Sequence, residues 1–211
     1  MLNLYRSLRR ARGLEVEGDG AAEAGFTLIE LMVVLLIMGI LLAIAIPAFL
    51  GVKGGAYSKA AQSDLTNLLT EAKASYADGQ DFSTLVTADS SAGIAGIQAS
   101  EPDMSARMVY QTGATSISSK KISVAAYCAT ASGCTSGVGT VAIAMAEMDE
   151  GGICWGVVDF ETAETTVYSI GSATAITPGK TTAGTFYDKN PSNCNADNVV
   201  PDTGLATSFP A

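Results

Sequence analysis

The hydrophobic and polar positions divide the chain into stretches of different character. Residues 1–25 are polar, mixed in charge and glycine-bearing, and hold nothing that could build a core. From Leu31 to Leu50 the chain carries no charge and is apolar on all sides, too uniformly for a surface helix. At about 1.5 Å per residue, a helix of this length spans about 30 Å, the thickness of a bilayer core. Pro47 falls near its end, and Gly51, Gly54 and Gly55 follow. These residues weaken a helix, so a bend or local unravelling is expected there. The pattern then becomes one-sided. Tyr57, Ala61, Leu65, Leu68, Ala72 and Tyr76 recur at helical spacing, while Lys59, Gln62, Asp64, Thr66, Glu71 and Lys73 fall mostly elsewhere around the helix. Gly79 is a plausible terminator. One helix from about Phe26 to Ala77 is therefore predicted, apolar all round in its first half and amphipathic in its second.

Residues 78–104 are small and polar and read as a connecting loop. Strand patterns follow over Ala106–Gln111, Lys121–Tyr127, Thr140–Met148, Ile153–Phe160 and Thr165–Ile170. Val141, Ile143 and Met145 alternate with alanines, and Asp149-Glu150-Gly151-Gly152 reads as a hairpin turn. The economical arrangement is α+β: an antiparallel sheet whose apolar face lies on the Tyr57–Tyr76 stripe of the long helix. The domains expected are 1–25, a 26–50 hydrophobic helix, a 51–77 stalk helix and a 78–211 head.

Composition narrows the function. The 211 residues carry a net charge of −9, only 16% are charged, and the mean hydropathy is +0.29. An acidic surface argues against broad nucleic-acid binding, and no specific nucleic-acid partner is expected. The apolar run is too long for the core of a secretory signal peptide. Arg6, Arg9, Arg10 and Arg12 precede it, which favours an N-in, C-out topology with the head outside the cytoplasm. All four cysteines, Cys128, Cys134, Cys154 and Cys194, lie in that exported part and read as two disulfides. Of the three possible pairings, Cys128–Cys134 and Cys154–Cys194 are favoured: a short local loop, and a tie from the tail to the body.

Catalytic chemistry is sparse. There is no histidine, which removes Ser-His-Asp, Cys-His and histidine-metal schemes. No G-x-S-x-G or phosphate-binding loop occurs, and Gly137-Val138-Gly139 lacks the third glycine of a dinucleotide fingerprint. Glu147, Asp149 and Glu150 could pair as acid and base, but on a hairpin turn they are expected to be solvated surface. Asp188, Asn190, Asn193, Asn195, Asp197, Asn198 and Asp202 offer oxygen donors without EF-hand spacing, so an ordinary polar loop is expected there. No catalytic residue, metal or cofactor is expected, and an enzyme is the most distant reading.

The stretch GFTLIELMVVLLIMGILLAIAIP, Gly25–Pro47, closely resembles the N-terminal segment of type IV pilins and their pseudopilin relatives. A glycine, a phenylalanine opening the apolar run and a glutamate four residues later occur in the same order. Gly39 and Pro47 fall where that family tends to place helix-loosening residues. The resemblance implies a pilin fold and a leader of residues 1–25, cut between Gly25 and Phe26 by a membrane prepilin peptidase. It further implies N-methylation of Phe26, a subunit-docking role for Glu30, and a segment from Pro47 through the following glycines that unwinds on assembly. The partners implied are other copies of the chain, the peptidase, the pilus assembly machinery, and the membrane before assembly. The leader, at 25 residues with four acids, is long for this pattern. The calcium-binding C-terminal pattern of the major secretion pseudopilin is not recognisable, which favours a pilus pilin.

Physics supports a polymer independently. Burying one large aliphatic side chain is worth about 1.5–3 kcal/mol, so exposing Leu31–Leu50 to water would cost on the order of 20–40 kcal/mol. The segment must sit in lipid or against other apolar helices, and repeated heterologous contacts between copies generate an open filament. A carboxylate in a bilayer core costs about 2.5–3.5 kcal/mol. Glu30 lies on the helix face of Phe26, whose new ammonium after cleavage would offset that cost. The expected function is thus the major pilin of a type IV pilus. The alternatives are a minor pilin or type II secretion pseudopilin, and then a signal-anchored extracellular binding protein.

Overall fold

The computed structural model describes residues 25–86, 94–110, 116–136, 139–170, 174–189 and 193–210. The chain divides into two compact units, Met1–Ala48 and Phe49–Ala211. The first helix, α1, runs over Leu28–Gly79. Its hydrogen-bonded turns continue through Gly39, Pro47, Gly51, Gly54 and Gly55. The Leu, Ala and Ile that dominate this part are adequate to strong helix formers, and a proline removes only one ladder bond. A Cβ added at any of those glycines would meet nothing within 4 Å, so packing within the chain does not demand them. Every residue from Gly25 to Val52 is exposed.

In the second unit α1 buries Ala61, Gln62, Leu65, Leu68, Leu69 and Ala72, with Tyr76 half-buried beside them. Four of these are the predicted stripe. Gln62, expected off that face, is buried and accepts a 3.0 Å hydrogen bond from Lys59 Nζ. The helix stops because Gln80 adopts a left-handed φ of 56°, its N–H returning 2.7 Å to the Tyr76 carbonyl. Phe82 then tucks back to stack at 4.8 Å on Tyr76.

The expected 78–104 loop is corrected in its second half. Residues Ala95–Ser100 form α2 and Pro102–Ser105 form α3, anchored by buried Ile97 and Met104. Each is too short to show a periodic signal. The strands are β1 Met108–Tyr110, β2 Ile122–Cys128, β3 Thr140–Met148, β4 Cys154–Phe160, β5 Val167–Ser169, β6 Ala175–Ile176 and β7 Gly184–Lys189. Helix α4, Ala131–Ser136, lies between β2 and β3, and α5, Ala196–Val199, follows β7. The sheet order is β6-β5-β2-β3-β4-β7, antiparallel along that path. β1 departs from the antiparallel expectation and pairs parallel with β2, Met108 opposite Ile122. β6 and β7 have no counterpart in the predicted strands. In β7 the inward positions are Phe186 and Asp188, too mixed to read as an apolar face.

One face of the sheet packs Ile143, Met145, Trp155 and Val157 against Leu65, Leu68 and Ala72 of α1. The other face is covered as well. Ala125, Ala142, Ala144, Ala146 and Val158 are covered by Cys194, Ala196, Val199, Val200 and Leu205. The small side chains permit this close second layer. Gly156 shows the limit, since a Cβ there would stand 2.6 Å from Val199 Cγ2. Disulfides join Cys128 to Cys134 and Cys154 to Cys194, each with Cα atoms 5.5 Å apart. The architecture is α+β, a long helix on a C-terminal antiparallel sheet.

Candidate processing and assembly site

Thr27 is the N-cap of α1, and the four residues Thr27-Leu28-Ile29-Glu30 form a capping box. The Thr27 N–H and hydroxyl donate to Glu30 Oε2 at 2.9 and 2.8 Å, and the Glu30 N–H returns to Thr27 Oγ1 at 3.3 Å. These bonds satisfy donors that a helix start leaves without intrahelical acceptors, and they place a carboxylate at the positive end of the helix dipole. The box was legible as T-x-x-E, yet Glu30 was read only as a docking residue. The structure gives it this second, local task.

Around this polar turn everything is apolar and open. Phe26 is 82% exposed, and Leu28, Ile29, Leu31, Met32 and Val33 are exposed beside Glu30. Gly25 and Phe26, the expected cleavage pair, precede the helix and are themselves exposed. α1 meets the length and hydropathy of a membrane span, with none of its apolar window buried.

The head holds a second polar constellation. Arg107, in the turn before β1, reaches Asp64 of α1 with NH1 at 2.6 Å, Glu147 at the end of β3 with NH2, and the Lys120 carbonyl with Nε at 3.0 Å. Glu147 and Asp149, expected on the surface, are 2% and 3% exposed. The turn folds against α1 instead of pointing away: Asp149 accepts from Ser58 Oγ (2.8 Å), the Ile153 N–H (2.9 Å) and Trp155 Nε1 (3.4 Å). Burial pushes the Glu147 carboxyl up to about 8, against the pull of Arg107 and with help from Asp64 and Asp149. Glu150 fits its expectation better, partly exposed and paired with Lys120 Nζ at 2.8 Å. A buried acid clamped by an arginine and facing no nucleophile is an internal tie between helix and sheet.

The oxygen-rich tail is largely occupied with the backbone. Asn195 caps α5 through the Asp197 N–H at 2.8 Å, Asp188 accepts from the Lys189 N–H at 2.6 Å, and Asp202 accepts from the Gly204 N–H at 2.6 Å. The Asp188 carboxyl is pushed up to about 6 by burial and by Asp202. Asn190 lies outside the described residues. Among the described residues no group of three or more His, Cys, Asp or Glu could hold a metal ion.

Residues 20–46 match the prokaryotic N-terminal methylation motif. No curated protein and no solved structure matches the chain. The matched stretch contains Gly25, Phe26, Thr27, Glu30 and Gly39, and it is a type IV pilin-like prepilin segment. The motif, with the helix-on-sheet architecture, supports a pilin-like or pseudopilin protein. The motif points to a structural protein and implies processing by a prepilin peptidase and assembly with pilus machinery. Together with the apolar helix it is consistent with a single-pass membrane anchor.

Proposed function

We propose that the chain is the major pilin of a type IV pilus. It is inserted in the cytoplasmic membrane N-in, C-out, cut between Gly25 and Phe26, N-methylated at Phe26, and assembled with copies of itself into a helical filament on the cell surface. Residues 1–25 are the leader, 26–50 the membrane and assembly helix, 51–77 the stalk and 78–211 the head. The observation that carries the reading is the exposure of nineteen large apolar side chains between Phe26 and Val52, within and just after the methylation motif. Such a surface has no stable place in water. Lipid covers it before assembly and the helices of other copies cover it afterwards.

Cleavage creates an ammonium at Phe26, next to the Thr27 cap that holds the Glu30 carboxylate and absent from the uncut precursor. That ammonium, in its own or a neighbouring subunit, offsets the cost of the carboxylate among apolar helices, and Glu30 sets the register between subunits. Gly39, Pro47, Gly51, Gly54 and Gly55 mark where the helix loosens on assembly: packing within the subunit does not require the glycines, and the proline removes a ladder bond.

The test is the N-terminal mass of the protein in filaments sheared from cells. A dominant subunit beginning at Phe26 with one added methyl group is expected. A purified protein that keeps residues 1–25 in cells with an active peptidase overturns the reading. A scarce subunit in filaments built of another chain makes it a minor pilin or pseudopilin.

A further inference from the structure

The second unit begins with a run of features that suits a bilayer surface. Lys53 Nζ stands 5.8 Å over the Phe49 ring and 5.7 Å over the Tyr57 ring. Leu50 and Val52 are exposed beside it. The turn between β3 and β4 folds onto the same helical turns, Ser58 donating 2.8 Å to Asp149. Glu150, in that turn, pairs with Lys120 Nζ at 2.8 Å. The neighbouring carboxylates are already engaged: Asp64 and Glu147 by Arg107, Asp149 by Ser58, Ile153 and Trp155. What this end of the head turns outward is Lys53 and Lys120 around a single exposed acid: the Lys120 side chain is 61% exposed and that of Glu150, its ion-pair partner, 40%, on a chain that is otherwise acidic.

The spacing places these groups at a definite depth. With Leu50 at the edge of the hydrocarbon, a rise of about 1.5 Å per residue puts Lys53 about 5 Å and Tyr57–Ser58 about 10–12 Å beyond it. A headgroup layer is about 5–8 Å thick on each side. Lys53 falls inside that layer, and Lys120 Nζ, seated on Glu150 of the turn that Ser58 holds, stands a few ångströms outside it, within reach once it swings off Glu150. Aromatic rings and snorkelling lysines at this depth are the usual anchors of a spanning helix.

We propose that this end of the head binds the phosphates of lipid headgroups in the outer leaflet while the subunit is held in the membrane, with Lys53 and Lys120 as the contacting cations and Phe49 and Tyr57 at the apolar boundary. The inference rests on the membrane-inserted stage of the proposed function. It makes an anionic leaflet orient the head before assembly, and extraction into the filament exchanges these lipid contacts for others.

The experiment places the full-length chain in lipid nanodiscs of phosphatidylcholine alone or with added phosphatidylglycerol. Lysines are acylated with a neutral ester and their rates read one by one by mass spectrometry. Lys73, held by Asp159 at 3.1 Å, is the internal control, since α1 places it about 35 Å beyond Leu50. Lys53 and Lys120 are expected to react about three- to fivefold more slowly in the anionic discs, with Lys73 unchanged and the difference removed by high salt. Equal rates in both discs, with Leu31–Leu50 protected from hydrogen exchange by the lipid, overturn the inference and leave the proposed function standing. A chain that does not enter the discs overturns both. Slowing that appears only in sheared filaments assigns the patch to subunit contacts and overturns the lipid assignment.

Discussion

Thr27 and Glu30 hold each other across the first turn of α1: both Thr27 donors fall on one carboxylate oxygen, at 2.9 and 2.8 Å, and the Glu30 N–H answers at 3.3 Å. The carboxylate proposed to dock a neighbouring subunit is thus already oriented by its own helix. The two tasks separate by substitution. Thr27→Val keeps the N–H and loses the hydroxyl, weakening the helix start by about 1 kcal/mol. It should lower filament yield modestly, with Thr27→Ser near normal. Glu30→Ala removes the cap and the docking charge together, and should leave membrane insertion intact while filament yield collapses. Sheared-filament yield against membrane-fraction content measures both, and normal assembly of Glu30→Ala would sink the docking role.

The buried Glu147 makes a prediction about pH. Its carboxyl is raised to about 8 in the folded head, against about 4.3 for a free glutamate, so the folded state holds a proton that the unfolded chain has released. Its contribution to stability is full below about pH 4.3 and is lost as pH rises to about 8, by an amount on the order of a few kcal/mol. Glu147→Gln imitates the neutral acid and keeps an oxygen for Arg107. It should flatten the decline in Tm between about pH 5 and 8 in detergent micelles. Parallel Tm profiles for the two proteins would show that Glu147 is ionised throughout.

Asp81 works in the opposite sense. Burial raises its carboxyl, but hydrogen bonds from Thr140, Gly139 and Ser83 outweigh burial and hold it below the ordinary range. Its contribution is present above the free value of about 3.9 and is lost as pH falls through the lower folded value. Asp81→Asn should therefore destabilise the head at neutral pH and have less effect in strong acid. Thermal melts across that range read the difference.

The two disulfides should differ in weight. Cys154–Cys194 closes a separation of 40 residues and Cys128–Cys134 one of 6. Loop-closure entropy gives about 4 kcal/mol for the first and about 2 kcal/mol for the second. Replacing both members of the long bridge by serine should lower Tm roughly twice as far as replacing the short pair. It should also expose the alanine face, where the covering segment begins at Cys194. Limited proteolysis between 194 and 210 checks the second point.

Gly156 is a packing requirement. Val199 Cγ2 would lie 2.6 Å from a Cβ there, and Asp188 Cβ 3.5 Å. Gly156→Ala should cost about 1–3 kcal/mol through overpacking. Val199→Ala in the same chain should recover part of that loss, giving a favourable coupling in a double-mutant cycle. Simple additivity of the two costs would mean that the segment after Cys194 is not seated on β4.

Much of the fold was legible because it follows from local periodicity. The apolar run, the Ala61–Ala72 stripe, the alternation in β3 and the turn at Asp149–Gly152 each have a repeat long enough to read. What was misread lacks one. α2 and α3 are only six and four residues long, β7 presents one phenylalanine and one aspartate inward, and nothing local to the alanines of β3 announces the second layer they make room for. Glu147 and Asp149 were misplaced for a related reason. A carboxylate near a turn is normally solvated, and nothing local announces that Arg107, forty residues earlier, closes over one and Ser58 over the other.

The sequence by itself determined the long helix, its apolar and one-sided halves, the T-x-x-E start, the glycine–phenylalanine junction and the α+β plan. All of these are set by neighbours within a few residues, where helix and strand periods act. Tertiary structure alone decided what depends on distant segments: the parallel placement of β1, the covering of both sheet faces, the burial of Glu147 under Arg107, and the gathering of Lys53, Tyr57 and Lys120 at one end of the head. Those arrangements are held by contacts between residues 14 to 91 apart, which a local pattern does not encode.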